Sequence, residues 1–136
     1  MSFQGTTRNE FENKSVLELE YEAYESMALK EMLRVCNRAK ERFPGLVRVL
    51  IEHKLGSCPV MDTSLIVIVS SPHRGDALQS VAFIVDDLKK NVPIWKLVGF
   101  VFPFICIYIY SLVNTNFVCV QKQGEIRQWR IFVEGK

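Results

Sequence analysis

Apolar positions alternate with glutamates along Val16–Tyr24, where Leu17, Leu19, Tyr21 and Ala23 are interleaved with Glu18, Glu20 and Glu22. A period of two predicts a strand with one buried face and one acidic, wet face. Spacings of three and four then take over. Leu29, Met32, Leu33, Cys36, Ala39 and Phe43 fall on one side, with Lys30, Glu31, Arg34, Arg38, Lys40 and Glu41 on the other. This predicts an amphipathic helix, capped by Ser26 and stopped at Pro44-Gly45. Leu46–Lys54 predicts a second strand, and Gly56, Ser57 and Pro59 predict a loop or kinked edge over Leu55–Asp62. The apolar, β-branched centre of Thr63–Ser70 predicts a short buried central strand. Ala77, Val81, Ile84 and Leu88 mark one face of a second helix. In Met1–Lys14, Gly5, Asn9 and Asn13 suit turns, and Phe3, Phe11 and Arg8 stand out from small or polar neighbours. The order strand, helix, strand, loop, strand, helix predicts an α+β or α/β layered domain.

Leu97–Val120 departs from this style. It carries no charged residue and is long enough to span a membrane. Pro103, the polar Asn114-Thr115-Asn116 and the many β-branched and aromatic residues suit strands better. Three readings stay open: a membrane anchor, extra buried strands, or a replaced C-terminus that packs poorly. Gln121–Lys136 is polar around Trp129, Ile131, Phe132 and Val133 and reads as a terminal strand.

Composition narrows the class. The chain has 136 residues, 49% hydrophobic and 24% charged, with a net charge of +2. That suits one globular domain and excludes a disordered charged tail. The charge is too small to indicate a nucleic-acid partner. Met1–Lys14 lacks the apolar core of a signal peptide. Cys36, Cys58, Cys106 and Cys119 have no C-x-x-C spacing, which argues against a zinc ribbon or a thioredoxin motif and for packed thiols in a reducing compartment. The three glutamates read as a solvated strand face rather than a metal or acid–base cluster, and His53 beside Lys54 reads as structural or solvent-facing rather than a ligand.

Chemistry concentrates in Ile66–Lys96. Ser70-Ser71-Pro72-His73-Arg74 joins a strand to a helix, a place where free N–H groups and the helix dipole collect oxyanions and an arginine can grip one through paired hydrogen bonds. Capping by Ser70 or Ser71, with Arg74 in water, explains the same residues. Lys89 and Lys90 suit the C-terminal end of that helix by charge alone. Lys89 lies fifteen residues beyond Arg74, about 22 Å along a straight helix at 1.5 Å per residue. One compact site therefore needs a broken helix, a long ligand or a second subunit.

FQGTTRN near the start, LEYEAY, MALKEML, the SSPHR turn and DDLKKNVPIWK together resemble the large, catalytic subunit of molybdopterin synthase, in that family's order and spacing from Phe3 to Lys96. The resemblance implies an α+β, α/β hammerhead-like mixed sheet with two main helices in residues 1–96, followed by a divergent apolar tail, 97–136. It implies a dimer of large subunits within a heterotetramer, each binding a small ubiquitin-like sulfur carrier with a C-terminal Gly-Gly thiocarboxylate. Two sulfurs would pass to cyclic pyranopterin monophosphate to make molybdopterin in the cytosol, with no metal, cofactor or nucleic acid. It implies catalytic roles for Lys89 and Lys96 and substrate- or carrier-binding roles for His73, Arg74, Arg8, Thr6, Thr7 and Phe3. Two departures stand out: the family's upstream strand and helix are absent, and Leu97-Val98 replaces its Lys-Glu continuation. The alternative expectation is a non-catalytic carrier-binding variant inactivated by its altered ends, with membrane tethering through 97–120 as a further possibility.

Overall fold

The computed structural model describes residues 1–101, 106–111 and 127–134. In chain order the elements are β1 (Ser2–Thr6), β2 (Glu10–Phe11), β3 (Lys14–Ala23), α1 (Glu25–Arg42), β4 (Arg48–Pro59), β5 (Thr63–Ser70), α2 (Arg74–Asn91), β6 (Ile94–Val101), β7 (Cys106–Ser111) and β8 (Arg127–Glu134). The α+β class with two main helices agrees with expectation. The strands run β1-β5-β4-β3-β6-β7 across the sheet, with β2 on β3 and β8 on β4, and every pairing among the described residues is antiparallel.

β4 ties the sheet together. Its first half, Arg48–His53, pairs with β5, while Gly56–Pro59 pairs with β3. Gly56, at the changeover, has φ 78°, a backbone state that glycine adopts without steric cost. Of the two readings of Leu55–Asp62, loop or kinked edge, the loop fails for its first five residues, which are extended strand kinked at Gly56 within the sheet. Gly and Pro signal a break locally, but β3 supplies the hydrogen-bond partners that keep the backbone extended.

The helices cover the β4–β5 part of the sheet. Val49 and Ile51 of β4 and Leu65, Val67 and Val69 of β5 point inward at period two and meet Ala28, Met32, Val35, Cys36 and Ala39 of α1 and Ala77, Val81, Ile84 and Leu88 of α2. Burying a Val, Leu, Ile or Met side chain contributes roughly 1.5–3 kcal/mol. A smaller cluster joins Val16 of β3 to Val98 of β6, with Phe11, Leu19 and Val60 against it. The predicted face of α1 is rotated. Ala28 and Val35 are buried, whereas Leu29 and Leu33 are exposed. Helical spacing admits both stripes, and the sheet selects the one with smaller side chains, which allows close approach.

Three further expectations change. Tyr24, not Ser26, caps α1, and the Ala28 N–H donates to its carbonyl at 2.9 Å. The cap moves upstream because β3 stays paired with β6 as far as Ala23↔Ile94. The first residues are not only turns. Ser2–Thr6 add a strand to the open edge of β5, in register Ser2↔Ile68 to Thr6↔Thr63. Part of the apolar run takes the strand reading, since β6 extends through Val101 and β7 pairs with it from Lys96↔Ser111 to Val101↔Cys106. Residues 102–105 and 112–120 of that run lie outside the described residues. The terminal strand is present as β8, paired to β4. Among the described residues no helix is long and apolar enough to cross a membrane.

Candidate functional site

Lys89 and Lys96 come together through a single reversal of the chain. Lys89 is exposed in the last turn of α2, where a cation complements the helix dipole. Pro93 cannot continue the helix and keeps Val92 extended. The Val92 N–H closes the helix on the Leu88 carbonyl at 3.0 Å, and β6 then returns along β3 with Lys96 opposite Tyr21. Lys96 is half-buried. That burial pulls its ammonium below the ordinary lysine range, and the charges of Arg8 and Lys89 pull it further. Arg8, Lys89 and Lys96 thus form one cationic cluster from three separate parts of the chain.

Arg8 reaches this cluster because the residues around it are pinned. The Thr7 N–H donates to the Asp62 carbonyl at 3.0 Å, and the Met61 N–H donates back to the Thr7 carbonyl at 2.9 Å. Thr7 is buried, and its hydroxyl donates to the Cys58 carbonyl at 3.2 Å. Asp62 is held in turn by the ammonium of Lys54, which keeps its carboxyl below the usual range. On the other side of Arg8, the Val16 N–H donates to the Asn9 carbonyl at 2.9 Å. The exposed Arg8 side chain therefore projects from a backbone fixed at both ends. Removing the buried Thr7 donor with Thr7→Val is expected to cost about 1–3 kcal/mol. Thermal melting checks this, and Thr7→Ser should recover most of the loss.

The other candidates sit elsewhere. Thr6 is exposed at the end of β1, beside a register shift in the β1–β5 pairing. Phe3 is half-buried against the main core, in mid-strand opposite Val67. His73 and Arg74 are exposed at the start of α2. The Ser71 hydroxyl accepts the His73 N–H at 3.3 Å, so the serine supports the turn while His73 holds the cap position. A Cβ at Gly45 would lie 2.6 Å from Asp76 Oδ2, a side-chain end that would have to swing aside. α2 is continuous from Arg74 to Asn91. The broken-helix solution to the spacing problem is thereby removed, and Arg74 stays about 22 Å from Lys89 along the axis.

Sequence reasoning noticed Phe11 but assigned it nothing. Its ring lies under Lys96, with Nζ 6.0 Å from the centroid. His53 agrees with a structural role. Its ring meets Tyr21 edge-on at 4.9 Å, its Nδ1 lies 2.7 Å from the Lys54 carbonyl, and burial lowers its pKa. Burial also raises the pKa of Glu20, followed by the charges of Glu22 and Glu18. Among the described residues no group of three or more His, Cys, Asp or Glu side chains is arranged to hold a metal ion. Chemically, the cluster offers an anion-attracting surface that includes one lysine whose pKa burial and neighbouring cations hold below its ordinary value.

Residues 1–91 match the family model described as MoaE protein. Over 94 residues the chain is 57% identical to the molybdopterin synthase catalytic subunit of Drosophila mojavensis, a match covering 69% of this chain and 26% of that one. The chain thus spans about a quarter of the length of that relative. The crystal structure of molybdopterin synthase from Staphylococcus aureus superposes with a TM-score of 0.70 at 29% identity, over 80% of this chain and 77% of that chain. A protein–protein complex of subunits 1 and 2 of molybdopterin-converting factor from Helicobacter pylori is similar at TM-score 0.60 and 25% identity, over 79% and 68% of the two chains.

Proposed function

Because the chain belongs to the MoaE protein family, we propose that it is the catalytic subunit of a molybdopterin synthase. In this reading it transfers sulfur from the C-terminal thiocarboxylate of a small ubiquitin-like carrier to cyclic pyranopterin monophosphate, making molybdopterin in the cytosol. The observation that carries the reading is the convergence of Arg8, Lys89 and Lys96, in which Lys96 is depressed first by burial and then by the other two cations. The pterin brings a cyclic phosphate and the carrier brings an acyl sulfur. Clustered cations attract the first and stabilise charge that develops on the second. Lys89 is assigned the proton transfer or the attack on the acyl carbon, and Lys96 assists it. No metal or cofactor is assigned to this step.

Arg8 and Thr6 face substrate. The inward-turned hydroxyl of Thr7 and the packed ring of Phe3 serve by holding the backbone that presents them. His73 and Arg74, at the far end of α2, bind substrate or carrier in the site of a second copy of the chain, so that two large and two small subunits make a heterotetramer. The working unit in this proposal is residues 1–96, and 97–136 is a divergent tail. The relationship to the Helicobacter pylori complex of two subunits supports the carrier as partner. A reconstituted assay with thiocarboxylated carrier and the cyclic pterin, run on this chain and on one cut after Lys96, tests the reading. Conversion of the pterin by the full chain is expected. Carrier binding without conversion would replace it with a carrier-binding variant, and neither binding nor conversion would end it.

A further inference from the structure

Phe11 sits at the end of β2, and the chain turns back at once into β3 with Glu10↔Ser15 and Phe11↔Lys14 in register. The two loop residues, Glu12 and Asn13, have φ 50° and 60°. Two consecutive positive φ values make the tight mirror-image hairpin turn, whose twist matches that of paired strands. The hairpin lays Phe11 against the small core cluster formed by Val16 and Val98. Val98 lies two residues after Lys96 on β6, and strand residues two apart share a face. The Phe11 ring lies under the Lys96 side chain, with Nζ 6.0 Å from its centroid. The same short segment presents Arg8, whose charge bears on Lys96, as does that of Lys89. Tyr21 lies opposite Lys96 on β3.

We propose that Phe11 is a positioning residue for Lys96: the hairpin places its aromatic face as a seat for the ammonium, so that one segment of the chain supplies both a site cation, Arg8, and the platform that orients another. The functional importance of the seat rests on the sulfur-transfer reading above, but the seat itself does not. An aromatic face attracts a cation through its quadrupole and does so without adding a negative charge. That suits a site that must leave its cations free for an anionic ligand. A carboxylate in the same place would hold Lys96 more strongly and compete with phosphate or thiocarboxylate for it.

The test uses the full chain with isotope-labelled lysine, the Lys96 signal being assigned through Lys96→Arg, and follows its titration by NMR. Ring-fluorinated phenylalanines at position 11 withdraw electron density from the ring face with little change of size. The Lys96 midpoint is expected to fall stepwise with fluorination, and by roughly half a pH unit in Phe11→Leu, while Phe11→Trp keeps or raises it. A midpoint indifferent to fluorination in folded protein overturns the seat. The fluorinated series keeps the proposal falsifiable if Phe11→Leu unfolds. Product formation is measured beside it on Phe11→Leu, Phe11→Tyr and Lys96→Ala. Loss in Phe11→Leu with recovery in Phe11→Tyr is expected. If the midpoint tracks the ring but Lys96→Ala forms product normally, the seat stands and the sulfur-transfer role of Lys96 falls.

Discussion

Lys89→Ala is expected to lower molybdopterin formation by at least roughly 10²-fold, the usual size of the effect of removing a positioned proton-transfer group. The chain should remain folded. Lys89 is exposed at the end of α2, and Lys90 remains to complement the helix dipole, so the change should fall within about 0.5 kcal/mol, as for most surface substitutions. Melting curves of the two proteins should nearly coincide. The neighbouring lysine reports on the same event. Removing one of the cations that depress Lys96 should raise its pKa toward the ordinary value, so that a smaller fraction is neutral at a given pH. Lys89→Arg separates the two roles available to the residue, because an arginine keeps its charge and does not release its proton. Activity retained in Lys89→Arg would assign Lys89 to electrostatic stabilisation. Activity lost in both variants would assign it to proton transfer or nucleophilic attack. Full activity in Lys89→Ala would remove it from the mechanism.

Mixing two inactive chains is expected to restore activity. Arg74 and Lys89 stand at opposite ends of one unbroken helix, and in the proposed dimer a site containing both takes them from two copies. Arg74→Ala alone and Lys89→Ala alone should each be nearly inactive. In a mixed dimer, the intact Lys89 of one chain meets the intact Arg74 of the other at one of the two sites. Random reassembly of equal amounts makes half the dimers mixed, so activity should return to about a quarter of that of the parent protein. No recovery, with mixed dimers demonstrated by mass spectrometry, would place Arg74 outside the shared site. Recovery when Lys89→Ala is paired with Lys96→Ala would contradict the structure, because those residues belong to one cluster within one chain and each mixed site would still lack one of them.

Much of the fold was legible because β3 and the two helices carry strong periodicity and β5 has an apolar, β-branched centre. The errors fall where local signals compete with partners distant in sequence. Gly56, Ser57 and Pro59 look like a loop until β3 pairs with them. Leu29 and Leu33 look like core until the sheet selects the stripe of Ala28, Met32 and Val35. Ser26 looks like a cap until the pairing of Ala23 with Ile94 ends β3 just before Tyr24. The start of the chain looks like turns because an edge strand of five residues has too little alternation to announce itself.

The sequence by itself determined the residue types that a phosphate and an acyl sulfur call for. Proline ends α2 at Pro93 wherever the rest of the chain lies, but the return of β6 along β3, which brings Lys96 back towards Lys89, is a tertiary pairing. Helical rise set the spacing of Arg74 and Lys89 at about 22 Å on a straight helix, and the structure decided that the helix is unbroken. Only the tertiary structure decided that Arg8 joins the lysines, that the Thr7 hydroxyl is spent on Cys58, and that Phe11 lies beneath Lys96. These contacts depend on the register of β1 with β5 and of β3 with β6. Register is a property of two strands at once. It follows from which faces can be buried together, and no short stretch of either strand contains that information.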